Sequence, residues 1–203
     1  MSYIVVRRMR EEDLNELRDL WSELVADYGG RELEYGLEAE MMWREAMLAS
    51  LRREDMGVLV AELRRGQEES SEAPRLLGYI FFRVITSPLR SKYVDHVYIS
   101  DLVVRRGFRR RGIASALVRR LLEELGGGPH RIYLRVPAGN EAAVKFYQKN
   151  GFRVSEYVME MEVGGPEEGS EDAGGSPGAA RHPTQLHRSL ENRLRGGRIG
   201  WGR

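Results

Sequence analysis

Residues 101–125, DLVVRRGFRRRGIASALVRRLLEEL, constrain the fold of this 203-residue chain more than any other stretch. An apolar strand passes through a short basic turn into a helix whose first turn contains Gly112 and Ala114. Backbone N–H groups at a helix start have no intrahelical partner, and the helix dipole places partial positive charge there. A diphosphate can accept those hydrogen bonds if no bulky side chain blocks its approach. Gly112 gives that access, and the small Ala114 lets the helix lie close to a sheet. Ile113, Leu117, Leu121 and Leu125, with Ala114 and Val118, form a broad apolar face along the helix.

The remaining pattern supplies the sheet this helix needs. Tyr3–Arg7 is short, β-branched and strand-like. Glu11, Glu12 and Asp13 then suit the first turn of a helix carrying Leu14, Leu17, Trp21, Leu24 and Tyr28 at helical spacing, ended by Gly29-Gly30. A second helix is predicted from about Leu37 to Arg53, with Met41, Leu48 and Leu51 on one side. GVLVAEL (57–63) and LLGYIFFRVIT (76–86) read as consecutive strands joined by a polar, exposed hairpin loop. Val94–Val104 is a further strand, and Gly126 to Pro129 stop the helix that follows it. Arg131–Val136 is a strand, Asn140–Asn150 a helix and Tyr157–Val163 a last strand. Asn150-Gly151 supplies a left-handed helix end onto which Phe152 can pack. The order β-α-α-β-β-β-α-β-α-β predicts an α/β fold, a mixed sheet with helices on both faces.

From Gly164 the composition turns to Gly, Pro, Ser and acid, with almost nothing to bury. Residues 1–163 are therefore expected to form the domain and 164–203 a disordered tail. Leu186, Leu190 and Leu194 lie four apart in that tail, as in a transient helix or a short amphipathic docking helix over 184–195.

RRRGIA, residues 109–114, resembles the R/Q-x-x-G-x-G/A signature of the GNAT acetyltransferase superfamily, and LVV before it resembles the family's splayed strand. RVPAGNEAAVKFYQKNGF, residues 135–152, resembles the family's second signature, an asparagine opening a helix with a tyrosine seven residues later. The resemblance implies the acyl-coenzyme A N-acyltransferase fold and acetyl-coenzyme A as cosubstrate. Its pyrophosphate would lie on the loop Arg109, Arg110, Arg111, Gly112, Ile113, Ala114 and Ser115. Its pantetheine arm would pair with the backbone of Leu102, Val103 and Val104. Asn140 would border the arm while capping its helix, and Ala142 and Ala143 would keep that helix thin. Homodimers are common in the family. The arginine-heavy turn RRGFRRRG departs from relatives, which often carry a proline there.

Acetyl transfer to an amine needs a base to neutralise the amine, donors for the developing oxyanion and an acid for the leaving thiolate. The resemblance assigns the acid to Tyr147. Asp101, beside the cofactor strand, is the first choice as base, with Asp95 and His96 behind it; Asp101 is equally readable as a structural carboxylate. The layout faintly resembles the polyamine acetyltransferase branch, but its acidic pair is reduced here to Ser100-Asp101. By that resemblance Tyr28, Glu32 and Glu34 would line the amine site. A small amine, a peptide N-terminus and a lysine all remain open as acceptors.

Other readings are weighed against the composition. There is no cysteine, so disulfides, thiolate metal sites and an acyl-cysteine intermediate are excluded. The four histidines are scattered, and no metal is expected. The net charge of +1 marks neither a nucleic-acid nor a membrane binder. The arginines of the turn could instead contact nucleic acid, but only Phe108 accompanies them as an aromatic. No stretch has the length of a signal peptide core or a membrane span, so a soluble cytoplasmic protein is expected. A sensor that binds acetyl-coenzyme A without transferring it is the alternative on the same fold.

Overall fold

The computed structural model describes residues 2–27, 36–64, 74–86, 95–127, 130–159 and 161. In chain order these form β1 (Tyr3–Arg8), α1 (Leu14–Asp27), α2 (Gly36–Ser50), β2 (Met56–Arg64), β3 (Leu76–Thr86), β4 (Asp95–Val104), α3 (Ile113–Leu125), β5 (Arg131–Leu134) and α4 (Glu141–Lys149). The strands lie side by side in sequence order. β1 to β4 pair antiparallel and only β5 runs parallel to its neighbour β4. A parallel neighbour requires a crossover, and α3 provides it.

Alternation along the strands sends successive side chains to opposite faces, and each face is covered by helices. On one face Leu14, Leu17 and Leu20 of α1 and Trp43 and Met47 of α2 pack on Val58, Val60, Tyr79, Phe81 and Val103. On the other, Ile113, Leu117, Val118 and Leu121 of α3 pack on Leu59, Ala61, Ile80, Phe82, Val97 and Ile99. Each fully buried leucine of this kind contributes roughly 2 kcal/mol. The apolar side of α2 differs from the expectation. Met41 and Leu51 are exposed, whereas Trp43 and Met47 are buried and Trp43 stacks on Trp21 at 5.4 Å. Methionines and alanines lie on several sides of this helix, so tertiary packing, and above all the two-tryptophan contact, chooses its face.

One irregularity shapes the site. Phe81 pairs with Asp101 but Phe82 pairs with Ile99, so Ser100 is an extra residue on β4. A bulge of this kind breaks the ladder, bends its strand and increases the local twist. Pairing with β5 runs only from His96↔Arg131 to Ile99↔Leu134 and stops where the bulge begins. Beyond it β4 continues to Val104 beside β3 alone. Gly78 permits that closeness, since a Cβ there would collide with the Val103 carbonyl oxygen.

The start of α1 is anchored by charge. Glu11–Asp13 forms a single 3-10 turn, and Asp13 is fully buried. Its carboxylate accepts from Arg7 at 2.7 and 3.0 Å, from Arg75 at 2.6 Å and from the Arg10 amide at 2.8 Å. Burial alone would raise this carboxyl's pKa, but the hydrogen bonds from Arg7, the Arg10 amide and Arg75 outweigh it, and the net shift is downward. With the folded value below the unfolded one, the cluster stabilises the fold at neutral pH. That stabilisation is lost as pH falls below roughly 3.9, the ordinary aspartate value, and through the folded value. Asp13→Ala removes the buried anion between Arg7 and Arg75, which keep Glu62 and, for Arg75, Glu16, and should cost about 2 kcal/mol in denaturant unfolding. A loss under about 1 kcal/mol would mean that water replaces the carboxylate at little cost.

The expected last strand is corrected. Tyr157, Val158, Met159 and Met161 carry no strand pairing, and all four are exposed. A sheet strand must bury at least one of its alternating faces, and here neither is covered. Residues 160, 162 and 163 lie outside the described residues, as does the helix expected over 184–195. The first compact unit spans Met1–Ser155.

Candidate active site

The separation of β4 from β5 opens a cleft of about 870 Å³ within the first unit. The Arg105 amide donates to the Leu77 carbonyl at 2.9 Å, which fixes the hydrogen-bonding phase of the β3–β4 ladder. By the alternation of an antiparallel pair, Val103 and Asp101 then turn their backbone groups toward β3. Leu102 and Val104 turn theirs toward the gap. Val103 also buries its side chain in the core. The strand's backbone contribution to the cleft thus comes from Leu102 and Val104.

At the far end of the cleft lies the start of α3. Gly112 is its N-cap with φ 80, a left-handed conformation that disfavours side chains. A Cβ at Gly112 would meet nothing within 4 Å, so the space in front of it is open. The first intrahelical bond is donated by Ala116 to the Gly112 carbonyl at 2.9 Å. The N–H groups of Ile113, Ala114 and Ser115 precede it and are left for an anion. All three residues line the cleft.

The arginines of the turn divide by role. Arg106 and Arg109 donate to the Asp27 carboxylate at 2.8 and 2.6 Å. Arg109 also donates to the Val104 carbonyl at 2.9 Å, and the Arg106 amide donates to Glu23 at 2.9 Å. Arg105 reaches Glu23 at 3.5 Å and the Leu76 carbonyl at 3.2 Å. The last turn of α1 therefore staples the loop in place. Burial tends to raise the Asp27 carboxyl, yet Arg109 and Arg106 hold it below the ordinary value, so it stays charged. Arg110 and Arg111 have no carboxylate partner among the described residues, and Arg111 lies over the Phe108 ring. Arg110 adopts φ 65, an uncommon left-handed conformation for a residue with a side chain.

The opposite wall is α4. Asn140 caps it by accepting from the Ala143 amide at 3.1 Å, and both residues border the cleft. Gly151 at φ 87 ends the helix, and the Phe152 amide donates back to the Tyr147 carbonyl at 3.0 Å. Tyr147 is thereby held between Phe146 and Phe152, edge-on at 5.2 and 5.4 Å, and it lines the cleft.

Asp101 lines the same cleft and accepts a hydrogen bond from the Tyr79 hydroxyl at 3.0 Å. The structure thus brings Tyr147, Asp101, Leu102, Val103, Val104, Arg109, Arg110, Gly112, Ile113, Ala114, Ser115, Asn140 and Ala143 to one cleft, whereas Arg111 lines a neighbouring depression together with Gly112 and Ile113. Tyr28, Glu32 and Glu34 lie outside the described residues, as does the Asp95 side chain. His96 belongs to the paired part of β4, before the bulge. Sequence reasoning missed Glu23, Asp27, Tyr79 and the bulge at Ser100. The first three act across long separations, which local spacing cannot register. The sequence shows Asp101 as a candidate base and Ser100-Asp101 as a reduced acidic pair, but nothing in it marks the bulge.

A strand that leaves its parallel neighbour and points at an anion-binding helix start defines a site for a long, phosphate-terminated cosubstrate, as in an acyl-coenzyme A transferase. The sequence model of the acetyltransferase (GNAT) family matches residues 17–152, and the chain belongs to that family, as an acetyl-coenzyme A-dependent N-acetyltransferase. No curated protein matches the sequence significantly. Among solved structures, similarity extends to a transcriptional regulator from Bacillus halodurans C-125, 20% identical with a TM-score of 0.60 over 79% of this chain and 100% of that one. The aminoglycoside N-acetyltransferase AAC(6')-Iy in complex with CoA is 17% identical, with a TM-score of 0.59 over 81% and 97%. An aminoglycoside acetyltransferase, meta-AAC0020, from an uncultured soil metagenomic sample in complex with sisomicin is 18% identical, with a TM-score of 0.58 over 79% and 95%. At these identities the likeness is one of fold. No helix among the described residues is long and apolar enough to cross a membrane.

Proposed function

We propose that this chain moves the acetyl group of acetyl-coenzyme A directly onto a primary amine of a small molecule or peptide. The observation that carries this reading is the gap beside Leu102 and Val104 that ends on the open N-terminus of α3 at Gly112. An extended pantetheine can hydrogen-bond to the strand while its diphosphate takes the amides of Ile113, Ala114 and Ser115. Arg110 and Arg111 add charge at that end, and Arg109 serves as a strut between Asp27 and Val104.

Acetyl-coenzyme A supplies the thioester; the chain's residues position it and move protons. Asp101 accepts the proton that the amine must lose, directly or through water, so that the nitrogen lone pair can attack the carbonyl carbon. Backbone N–H groups of the gap-facing strand donate to the carbonyl oxygen as it gains charge. Tyr147 gives its hydroxyl proton to the sulfur as the carbon–sulfur bond breaks, and its phenolate takes back, through water, the second proton lost by the newly acylated nitrogen. Nothing in this scheme requires an acyl-enzyme, and catalysis comes mainly from holding the reactants in line. The catalytic unit is proposed to be residues 1–163.

The acceptor class is open between small polyamines, aminoglycoside-like amines and peptide amines. The solved structures in complex with aminoglycoside-related ligands have this fold, and Glu32 and Glu34 would favour a cationic acceptor. The test is release of free thiol from acetyl-coenzyme A against a panel of spermidine, an aminoglycoside and short peptides. Turnover above the acceptor-free rate on at least one is expected. Tight acetyl-coenzyme A binding with turnover on none would replace the transferase with a sensor.

A further inference from the structure

Tyr79 stands outside every motif of the sequence, yet it is fully buried beneath the cleft and its hydroxyl donates to Asp101 Oδ2 at 3.0 Å. The bulge at Ser100 makes this contact possible. It places Asp101 and Val103 on the same face of the sheet as Tyr79 and Phe81, against α1 and α2. A buried tyrosine hydroxyl requires a partner, and an apolar core of leucines and valines would be better filled by phenylalanine. We propose that Tyr79 is a positioning residue for transfer, holding the Asp101 carboxylate in one orientation and favouring its ionised form. This rests on the reading of Asp101 as the proton acceptor.

The chemistry supports one direction of donation. Burial, followed by the adjacent Asp101 charge and the hydrogen bond to it, raises the Tyr79 phenol well above its usual value. The phenol therefore remains protonated wherever the enzyme works and can act only as a donor to the carboxylate. A hydrogen bond to the charged form of an acid favours that form, and inside a protein it is stronger than in water. Tyr79 shares its buried core with Trp43 and Met47 of α2, so the donor is held by packing that a substrate does not have to build.

The decisive variant is Tyr79→Phe, which removes one oxygen and keeps the ring. The expected result is a kcat lowered about tenfold with the KM for acetyl-coenzyme A unchanged. The acidic limb of the kcat/KM profile should move upward by roughly one pH unit, because a carboxylate deprived of its donor is easier to protonate. The variant leaves the other charged and titratable groups lining the cleft untouched. These are Asp27 of α1, Arg109 and Arg110 of the turn and Arg135 after β5, together with Glu141, Lys145, Tyr147 and Lys149 of α4. Combined with Asp101→Asn, Tyr79→Phe should add no further loss.

An acidic limb that stays in place, or losses that multiply in the double variant, would overturn the proposal. Should Tyr79→Phe fold poorly, 3-fluorotyrosine placed at position 79 keeps the shape and strengthens the donor. The acidic limb should then move downward, and no movement overturns the proposal equally. Asp101→Asn alone separates the two readings. Wild-type turnover in that variant removes Asp101 as the base, whereas its loss beside an inert Tyr79→Phe removes only the role given to Tyr79.

Discussion

Gly112→Val should abolish useful binding of acetyl-coenzyme A, raising Kd by about 100-fold or more in calorimetry. Two independent effects act at this residue. Its φ of 80 is a conformation that a β-branched side chain adopts only under strain, on the order of 1–3 kcal/mol, so the first turn of α3 would shift. A Cβ built at Gly112 meets no protein atom within 4 Å, so the valine would project into the open space proposed for the diphosphate. Losing even two charge-assisted hydrogen bonds from the amides of Ile113, Ala114 and Ser115 amounts to roughly 3 kcal/mol, which is the hundredfold. Gly112→Ala carries the backbone penalty with a smaller side chain and should fall between. An unchanged Kd in the valine variant would dismiss the helix start as the diphosphate site.

Tyr147→Phe should lower kcat by about 100-fold while leaving Kd for acetyl-coenzyme A within a few-fold of wild type. The phenylalanine keeps the edge-on contacts with Phe146 and Phe152, and the helix end at Gly151 depends on backbone bonds. The fold should therefore be preserved, and the change falls on the proton. Full turnover across the pH range would show that water or another group protonates the departing sulfur.

The sequence made most of this architecture legible where the signal is local. Strand alternation, glycines after helices and the small residues at the start of α3 each encode structure within a few positions. Nine elements accordingly lie close to their expected places. Asn140 shows why some motifs read correctly at two levels, since the same side chain caps a helix and borders the cleft. The remainder was decided by distant contacts. Glu23 and Asp27 meet the turn about eighty residues later, and they hold Arg105, Arg106 and Arg109 in internal ion pairs that local spacing does not register. Asp13 looked like a dipole-stabilising acid but is a fully buried hub for Arg7 and Arg75. α2 offered apolar residues on several sides, and the contact between Trp21 and Trp43 settled which one turned inward.

The extra residue at Ser100 also means that β4 is read in two frames. Val97 and Ile99 belong to the core under α3, whereas Val103 belongs to the core under α1 and α2, although all three are odd-numbered. An unbroken strand would have assigned Asp101 to the same side as Ile99, away from Tyr79. Asp101, the proposed proton acceptor, therefore owes its address to a count of residues as much as to its chemistry. One strand can then serve two masters: its first half seals a core, and its second half presents an acid and an open backbone edge to the cleft.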